Sequence, residues 1–292
     1  MKPLAYECPT TVEEAVAALG RGDARALAGG TDLIVQIREG RKSVGRVVDL
    51  KRIPELTSIT LQPDGGFRIG AAANFNAIAS HDALARAYPS VPASGRLVGS
   101  LQVQNRAGLG GNICNASPSA DAVPVVISLD ARAEIAGPKG RREEAVEALF
   151  AGPGRNKLAP DEILVSILLP PVKPRSASCY VRFTPRREMD IAIAGAGVAI
   201  AIGADGTIAD ARITLAAVAP VPLRAPMAEK ALKGEKPSHA LFNNAGRIAA
   251  REAKPIGDTR GSAEYRRELV AVLTQRALMA CAQDLNLGIT SP

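Results

Sequence analysis

The chain has 292 residues, 47% of them hydrophobic and 22% charged, which is enough to bury two or three cores. No apolar run approaches the roughly 18 residues that a membrane span requires, so a spanning role is not expected. The net charge of +7 is scattered, and with no tryptophan and 3% aromatic residues there is little for nucleobases to stack on, so no nucleic-acid partner is expected; a basic surface suits an acidic protein or an anionic cofactor equally well.

The N-terminus, MKPLAYECPTT, shows no apolar leader, which makes the cytoplasm the expected location. Thr11-Val12-Glu13-Glu14 is a capping box, and Val12, Ala15, Val16 and Leu19 mark one face of a helix that Gly20 would stop in the left-handed conformation. A short strand around Ala24 to Ala28, a tight turn and a helix from Asp32 to about Glu39 follow. Val47 to Leu50, Ser58 to Leu61 and Phe67 to Gly70 read as strands, the last two joined by an Asp64-Gly65-Gly66 turn. A helix is expected over Phe75 to Tyr88, and Ser90 to Ser119 carries no clear period. Helix is expected at Val123 to Leu129 and Arg142 to Phe150, strand at Arg132 to Ile135 and Ile163 to Leu169.

PPVKPR, residues 170 to 175, is the best domain boundary, because repeated prolines exclude regular structure and stiffen a linker. Beyond it, Ile191 to Gly203 and Thr207 to Val218 alternate around Asp205-Gly206, the pattern of an antiparallel hairpin. Two helices close the chain. One is capped by Ser238, with Leu241, Ala245, Ile248 and Ala249 on a face; the other runs from Ser262 to about Cys281, with Tyr265, Leu269, Val272 and Leu273 inside. The sum is an α+β architecture.

Cys8, Cys114, Cys179 and Cys281 lie far apart and form no CxxC pair, so neither zinc nor an iron–sulfur cluster is expected here. His81 and His239, the only histidines, sit in no metal-ligand spacing and read as surface or cap residues. Redox chemistry on this chain would need an organic cofactor.

Two glycine loops carry the chemical signal. The first, Leu27-Ala28-Gly29-Gly30-Thr31-Asp32-Leu33, lies between a strand and a helix; adjacent glycines can turn successive amides toward one anion, and Thr31 adds a hydroxyl. Its other reading is a plain turn with Thr31 or Asp32 as an N-cap. The second is Gly108-Leu109-Gly110-Gly111-Asn112-Ile113-Cys114-Asn115-Ala116-Ser117-Pro118-Ser119-Ala120-Asp121. No lysine follows its glycines, so it is not an ATP-binding P-loop, and Asp121 is a carboxylate suited to ribose hydroxyls. The competing reading is a solvent loop with Asx turns and Asp121 as a helix cap. Two such loops in one chain favour a long diphosphate ligand. Gly195-Ala196-Gly197 lacks the third glycine of a Rossmann fingerprint and precedes a hairpin, so it reads as strand glycines that permit close packing.

AGGTDL (28 to 33), GLGGNICNASPSAD (108 to 121), EILVSILLP (162 to 170), FTPRREMDIAIAGAG (183 to 197) and GDTRGSAEYRRELV (257 to 270) together resemble the FAD-binding medium subunits of molybdenum hydroxylases, such as carbon monoxide dehydrogenase and the flavin domain of xanthine dehydrogenase. The resemblance spans nearly the whole chain in order. It implies a two-lobed FAD-binding domain of the vanillyl-alcohol-oxidase/PCMH type over residues 1–172, with lobes of about 1–56 and 57–172, and a C-terminal domain over 176–285. It implies non-covalent FAD wrapped by Ala26 to Leu33 and faced by Gly108 to Asn112, with Asp121 on the adenosine ribose, Val98 by the adenine or along the cofactor wall, Leu164 lining the flavin site and Arg182 near the ring. The Arg186-Arg187-Glu188 segment is implied to be structural or interfacial. Gly108 stands where the family usually has Ser or Thr, and the cysteine-bearing insertion of the hydroxybenzoyl-CoA reductase flavoprotein subunit is missing.

The implied role is an electron relay without a catalytic acid, base or nucleophile. Molybdenum cofactor and 2Fe-2S clusters would reside in a large and a small partner subunit, in a heterotrimer or a dimer of heterotrimers, and NAD, quinone or dioxygen would take the electrons. The competing reading is a self-sufficient FAD-dependent oxidoreductase of the same superfamily, which usually carries acid/base residues in its substrate domain; here that domain's only histidine is His239.

Overall fold

The computed structural model describes residues 3–186 and 189–289. The chain runs β1 (Ala5–Glu7), α1 (Val12–Leu19), β2 (Ala24–Leu27), α2 (Leu33–Arg38), β3 (Arg46–Asp49), α3 (Pro54–Thr57), β4 (Ile59–Leu61) and β5 (Phe67–Gly70). Six short helices follow: α4 (Phe75–Ala79), α5 (Asp82–Ala87), α6 (Ser90–Gly95), α7 (Leu101–Gln104), α8 (Leu109–Asn115) and α9 (Val123–Ser128). Then come β6 (Arg132–Gly137), β7 (Gly140–Ala145), β8 (Phe150–Gly152), β9 (Arg155–Asn156) and β10 (Ile163–Leu169). Past the prolines lie β11 (Ser176–Phe183), β12 (Ala194–Ile202), β13 (Ile208–Ala216), β14 (Leu223–Arg224), α10 (Pro226–Leu232), α11 (His239–Glu252) and α12 (Ala263–Asp284). No helix among the described residues is long and apolar enough to cross a membrane.

A small parallel sheet, ordered β1-β3-β2, opens the chain and hands it to an antiparallel sheet ordered β4-β5-β10-β6-β7. The capping box forms as expected: the Thr11 hydroxyl accepts from the Glu14 amide and Glu14 reaches back, a device worth about 1 kcal/mol. Val12, Ala15 and Leu19 of α1 share one core with Val48 of β3 and with Ile163 and Val165 of β10, which welds the small sheet to the large one. Gly20 stays right-handed; the left-handed residues are Gly22 and Asp23.

The third sheet, β11-β12-β13-β14, is antiparallel, and the residues of β12 alternate between two environments. Ala194, Ala196, Val198, Ile200 and Ile202 share a core with α11 and α12. Gly195 and Gly197 face the other way, as strand geometry requires. A side chain on Gly197 would press on the backbone of Pro124 in α9, and one on Gly195 would strike the ring of Tyr180. These glycines are packing positions, as the sequence suggested, and they let α9 settle on the sheet. The joint is also polar: the Ser128 hydroxyl donates to the Gly197 carbonyl at 2.9 Å and lies 3.0 Å from the Thr214 hydroxyl, all three buried.

Several expected elements differ. The helix from Phe75 breaks at Ser80-His81, where the His81 ring nitrogen accepts from the Leu84 amide and starts a second helix. Residues 90–119 hold three short helices. Arg142 to Phe150 is not helical: Gly140 to Ala145 forms the edge strand β7, and a single 3-10 turn covers Val146 to Leu149. Its arginines and glutamates favour helix intrinsically, but on an edge strand they blunt the open side of the sheet while Arg142 pairs with Glu144 and Glu162. In α12, Tyr265 and Val272 are exposed, whereas Arg266, Val270, Leu273 and Ala277 are buried. The buried arginine shifts the apolar phase; its guanidinium donates to the carbonyls of Ile193 and Ala217 and pairs with Asp258. Strands β1, β11 and β14 and helix α10 carried no sequence signal strong enough to be expected.

Candidate functional site

The two glycine loops meet. Gly29, at the tip of the first, lies so close to the backbone of Arg106 and Ala107 that a β-carbon there would overlap the Arg106 carbonyl. Gly108, the N-cap of α8, is pressed on the Ala73 carbonyl, and Gly110 on Ala71. The Asn115 side-chain amide donates to the Asp32 carboxylate at 3.2 Å, so the far end of α8 is tied to the start of α2. Asp32 occupies the N-cap position of α2 but makes no side-chain cap bond, which removes the plain-turn reading of that carboxylate.

What the loops present is a set of donors without acceptors. Among the described residues, the amides of Gly29, Gly30, Thr31 and Asp32 donate to no carbonyl or side chain, and neither do those of Gly110 and Gly111; the Leu109 amide faces the Ala73 carbonyl in the bridge between Asn74 and Gly108. A β-carbon on Gly111 would meet nothing within 4 Å, unlike those on its neighbours Gly110 and Gly108. Beside it, the Asn112 side-chain oxygen is buried with no hydrogen-bond partner. Gly30 has φ +77°, a conformation glycine adopts freely, and it turns the chain between β2 and α2. Free amides around an open glycine cradle fit the diphosphate of a dinucleotide.

The other expected residues spread around this centre. Ala26 and Leu27 end β2, with Ala26 exposed and Leu27 in the core; Ala28, Thr31 and Leu33 are half-buried. Val98 is half-buried, and its carbonyl accepts from the Gln104 side chain at 3.0 Å. Leu109 is fully buried and Leu164 is 3% exposed, both in the core beneath α8. Asp121 and Arg182 form an ion pair of 2.5 Å, with the Tyr180 hydroxyl donating to the other Asp121 oxygen at 3.0 Å. The sequence suggested separate tasks for these two residues; the structure joins them. Tyr180 and Arg182 pair with Gly197 and Gly195 across the sheet, and the small strand partners leave room for them on the α9 face. Burial pushes the Asp121 carboxyl up to about 6 against the pull of Arg182 and Tyr180, and the Tyr180 phenol is driven well above its ordinary value by burial and by Asp121. Burial also pushes the Cys114 thiol up to about 12, so it is a packed thiol and not a nucleophile. Arg186 is exposed, while Arg187 and Glu188 lie outside the described residues.

Sequence reasoning missed Tyr180, Asn115 as a tie between loops, and Lys51, whose ammonium reaches the Ala28 carbonyl. None has a local motif. Only the sheet register and the meeting of the loops bring them to the site.

An α+β chain with paired glycine loops of this kind belongs to the class of dinucleotide-binding flavin domains, and comparison with known proteins narrows the class. Residues 2–172 match the FAD binding domain in molybdopterin dehydrogenase, and residues 179–281 match the CO dehydrogenase flavoprotein C-terminal domain. The chain therefore belongs to the molybdopterin-dehydrogenase FAD-binding subunit family. It is 30% identical to the xanthine dehydrogenase FAD-binding subunit of Escherichia coli O157:H7, over 94% of each chain. It is 30% identical to the carbon monoxide dehydrogenase medium chain of Hydrogenophaga pseudoflava, over 94% of this chain and 96% of that one. A solved carbon monoxide dehydrogenase structure from Hydrogenophaga pseudoflava superposes with a TM-score of 0.91 at 31% identity, covering 97% of this chain and 99% of that one. The protein is thus an oxidoreductase component with an FAD-binding domain and a C-terminal domain built on an antiparallel sheet.

Proposed function

We propose that the chain is the FAD-carrying electron-transfer subunit of a cytoplasmic molybdenum hydroxylase complex. In that complex it passes electrons from the iron–sulfur clusters of a small subunit to NAD, quinone or dioxygen, and a large subunit bears the molybdenum cofactor. The assembly is a heterotrimer or a dimer of heterotrimers. The observation that carries this reading is the meeting of two glycine loops around the open Gly111, with amides of both loops free. Residues 1–172 form the FAD-binding unit in two lobes, and residues 176–285 the C-terminal domain.

In this reading the amides of Gly29 to Asp32 and of Gly110 and Gly111 bind the diphosphate, and Asn112 offers its unpartnered carboxamide oxygen to a ligand donor. Ala26 to Ala28 and Leu33 shape the wall of the first loop, and Gly108 the start of the second. Asp121 keeps one lone pair on each oxygen for the adenosine ribose while Arg182 and Tyr180 hold it in place. Val98 closes the wall, and Leu164 supports α8 from the core. When bound, FAD supplies the redox chemistry, taking electrons singly and releasing them as a pair. The residues of this chain bind, orient and partly exclude water; none is placed as a proton donor or nucleophile.

Purification from the native source tests the assembly: FAD, molybdenum and iron should co-purify with two further chains. Stopped-flow absorbance then compares the complete complex with the separated chain, using aldehydes, heterocycles and carbon monoxide as reductants. The flavin band should bleach in the complex alone. Bleaching in the metal-free separated chain would establish a self-sufficient oxidoreductase instead.

A further inference from the structure

A line of polar contacts runs from the first strand to the first glycine loop, and no motif described above includes it. Lys51 sits in a short 3-10 turn (Leu50–Arg52) that follows β3. Its Nζ donates to the Ala28 carbonyl at 2.9 Å and to Asp49 Oδ1 at 2.6 Å. The same Asp49 oxygen accepts from the Lys51 backbone amide at 3.0 Å, and the other accepts from the Tyr6 hydroxyl at 2.5 Å. Asp49 is 5% exposed. Burial alone would raise its carboxyl, but the hydrogen bonds from Lys51 and Tyr6 outweigh it and hold the group below the ordinary carboxylate range. The carboxylate thus stays ionised and the ammonium stays opposite it. Buried Asp49 anchors the lysine, and the lysine anchors the loop.

The peptide plane converts that anchor into a direction. In a trans peptide the carbonyl of one residue and the amide hydrogen of the next point to opposite sides of a rigid plane. No cis bond occurs among the described residues, so fixing the Ala28 carbonyl toward Lys51 fixes the Gly29 amide away from it. That amide is the first of the run of free donors in the loop. A glycine pair has little stiffness of its own, and without the anchor the Ala28–Gly29 peptide could rotate and present its carbonyl to an incoming anion.

We propose that Lys51 is a positioning residue for dinucleotide binding: it holds the Ala28–Gly29 peptide so that the Gly29 amide faces the diphosphate. This rests on the FAD reading above. A charge-assisted hydrogen bond to a carbonyl is roughly twice as strong as a neutral one, so a lysine or arginine serves here better than a neutral donor.

The test uses the full chain stripped of flavin and titrated with FAD and with ADP, which carries the diphosphate without the flavin ring. Lys51→Met should weaken both ligands about tenfold or more, the scale of one lost hydrogen bond to a charged partner. Lys51→Arg should stay within about threefold of wild type, since it restores a charged donor. Lys51→Gln, neutral but still a donor, should fall between them. Tyr6→Phe keeps the Lys51–Ala28 contact and should leave both affinities within about twofold while lowering the thermal midpoint. Should Lys51→Met fail to fold, the Gln and Arg variants decide by their order. The proposal is overturned if Lys51→Met or Lys51→Gln binds ADP and FAD as wild type does. It is overturned equally if Tyr6→Phe loses as much affinity as Lys51→Met, because the effect would then track strand stability alone. A wild-type chain that binds neither ligand would instead remove the FAD reading, and this proposal with it.

Discussion

Replacing Gly111 by valine should separate binding from folding. Gly111 is the third residue of α8, and a β-carbon there meets nothing within 4 Å, so the apo-protein has room for the side chain. Valine is a slightly better helix residue than glycine, by roughly a few tenths of a kcal/mol, so the thermal midpoint of the apo-protein should hold or rise. The branched side chain would occupy the space in front of the free amides. Blocking two hydrogen bonds to a charged diphosphate, at about 1.5–3 kcal/mol each, removes about 3–6 kcal/mol, a loss of ~10²- to 10⁴-fold in affinity. Gly110→Ala should do the opposite. Its β-carbon would lie 2.6 Å from that of Ala71 and overlap the Ala71 carbonyl, so overpacking of about 1–3 kcal/mol falls on the fold itself. At about 2–4 °C per kcal/mol for a chain of this size, the midpoint should drop measurably. Calorimetric titration with FAD and a circular-dichroism melt read both variants. Unchanged FAD affinity in well-folded Gly111→Val protein would refute the placement of the diphosphate between the two loops.

Two further predictions concern ion pairs. Arg182→Met leaves Asp121 buried and unpaired, which should cost about 3–5 kcal/mol at neutral pH. Because burial already lifts the Asp121 carboxyl to about 6, above its unfolded value of 3.8, protonation favours the fold as pH falls; the deficit should be full above that range and shrink toward pH 4, and melts across the range that show no such narrowing would contradict the pairing. At Asp210 the sign reverses. Burial would raise its carboxyl, but hydrogen bonds from Lys173 and Lys233 win and hold it at about 2. The stabilisation is therefore present above the unfolded value of 3.8 and lost as pH falls through about 2. Asp210→Asn should flatten that acid limb by about 1 kcal/mol after allowance for solvent screening, as compared by melts at about pH 5 and 2.5.

The glycine loops stood out in the sequence because close glycines and small polar residues leave a local mark wherever backbone must pack tightly or turn its amides outward. The capping box at Thr11 and the Asp205-Gly206 hairpin were legible for the same reason, each being settled within a few residues. What escaped depends on distant partners. Arg142 to Phe150 reads as helix until β6 and the Glu162 carboxylate are placed beside Arg142. Arg266 reads as surface until the carbonyls of Ile193 and Ala217 arrive to satisfy it. The pairing of Asp121 with Arg182 crosses 61 positions and the proline linker, and only the register of β11 against β12 aims Arg182 at it.

The glycines of β12 also bear on how chains of this family can recombine. A graft that replaced residues 176–285 by the corresponding stretch of a relative would bring a new strand against the old α9. Any residue larger than glycine at position 197 would collide with Pro124, and any at 195 would displace Tyr180 from Asp121. In packing terms the segment after the prolines forms one unit with the turn of helix it rests on. Where the donor carries a larger residue at 195 or 197, chimaeras cut at 170–175 should misfold unless Asp121 to Ser128 travels with the graft, and the seam that looks simplest in the chain is then the wrong place to cut it.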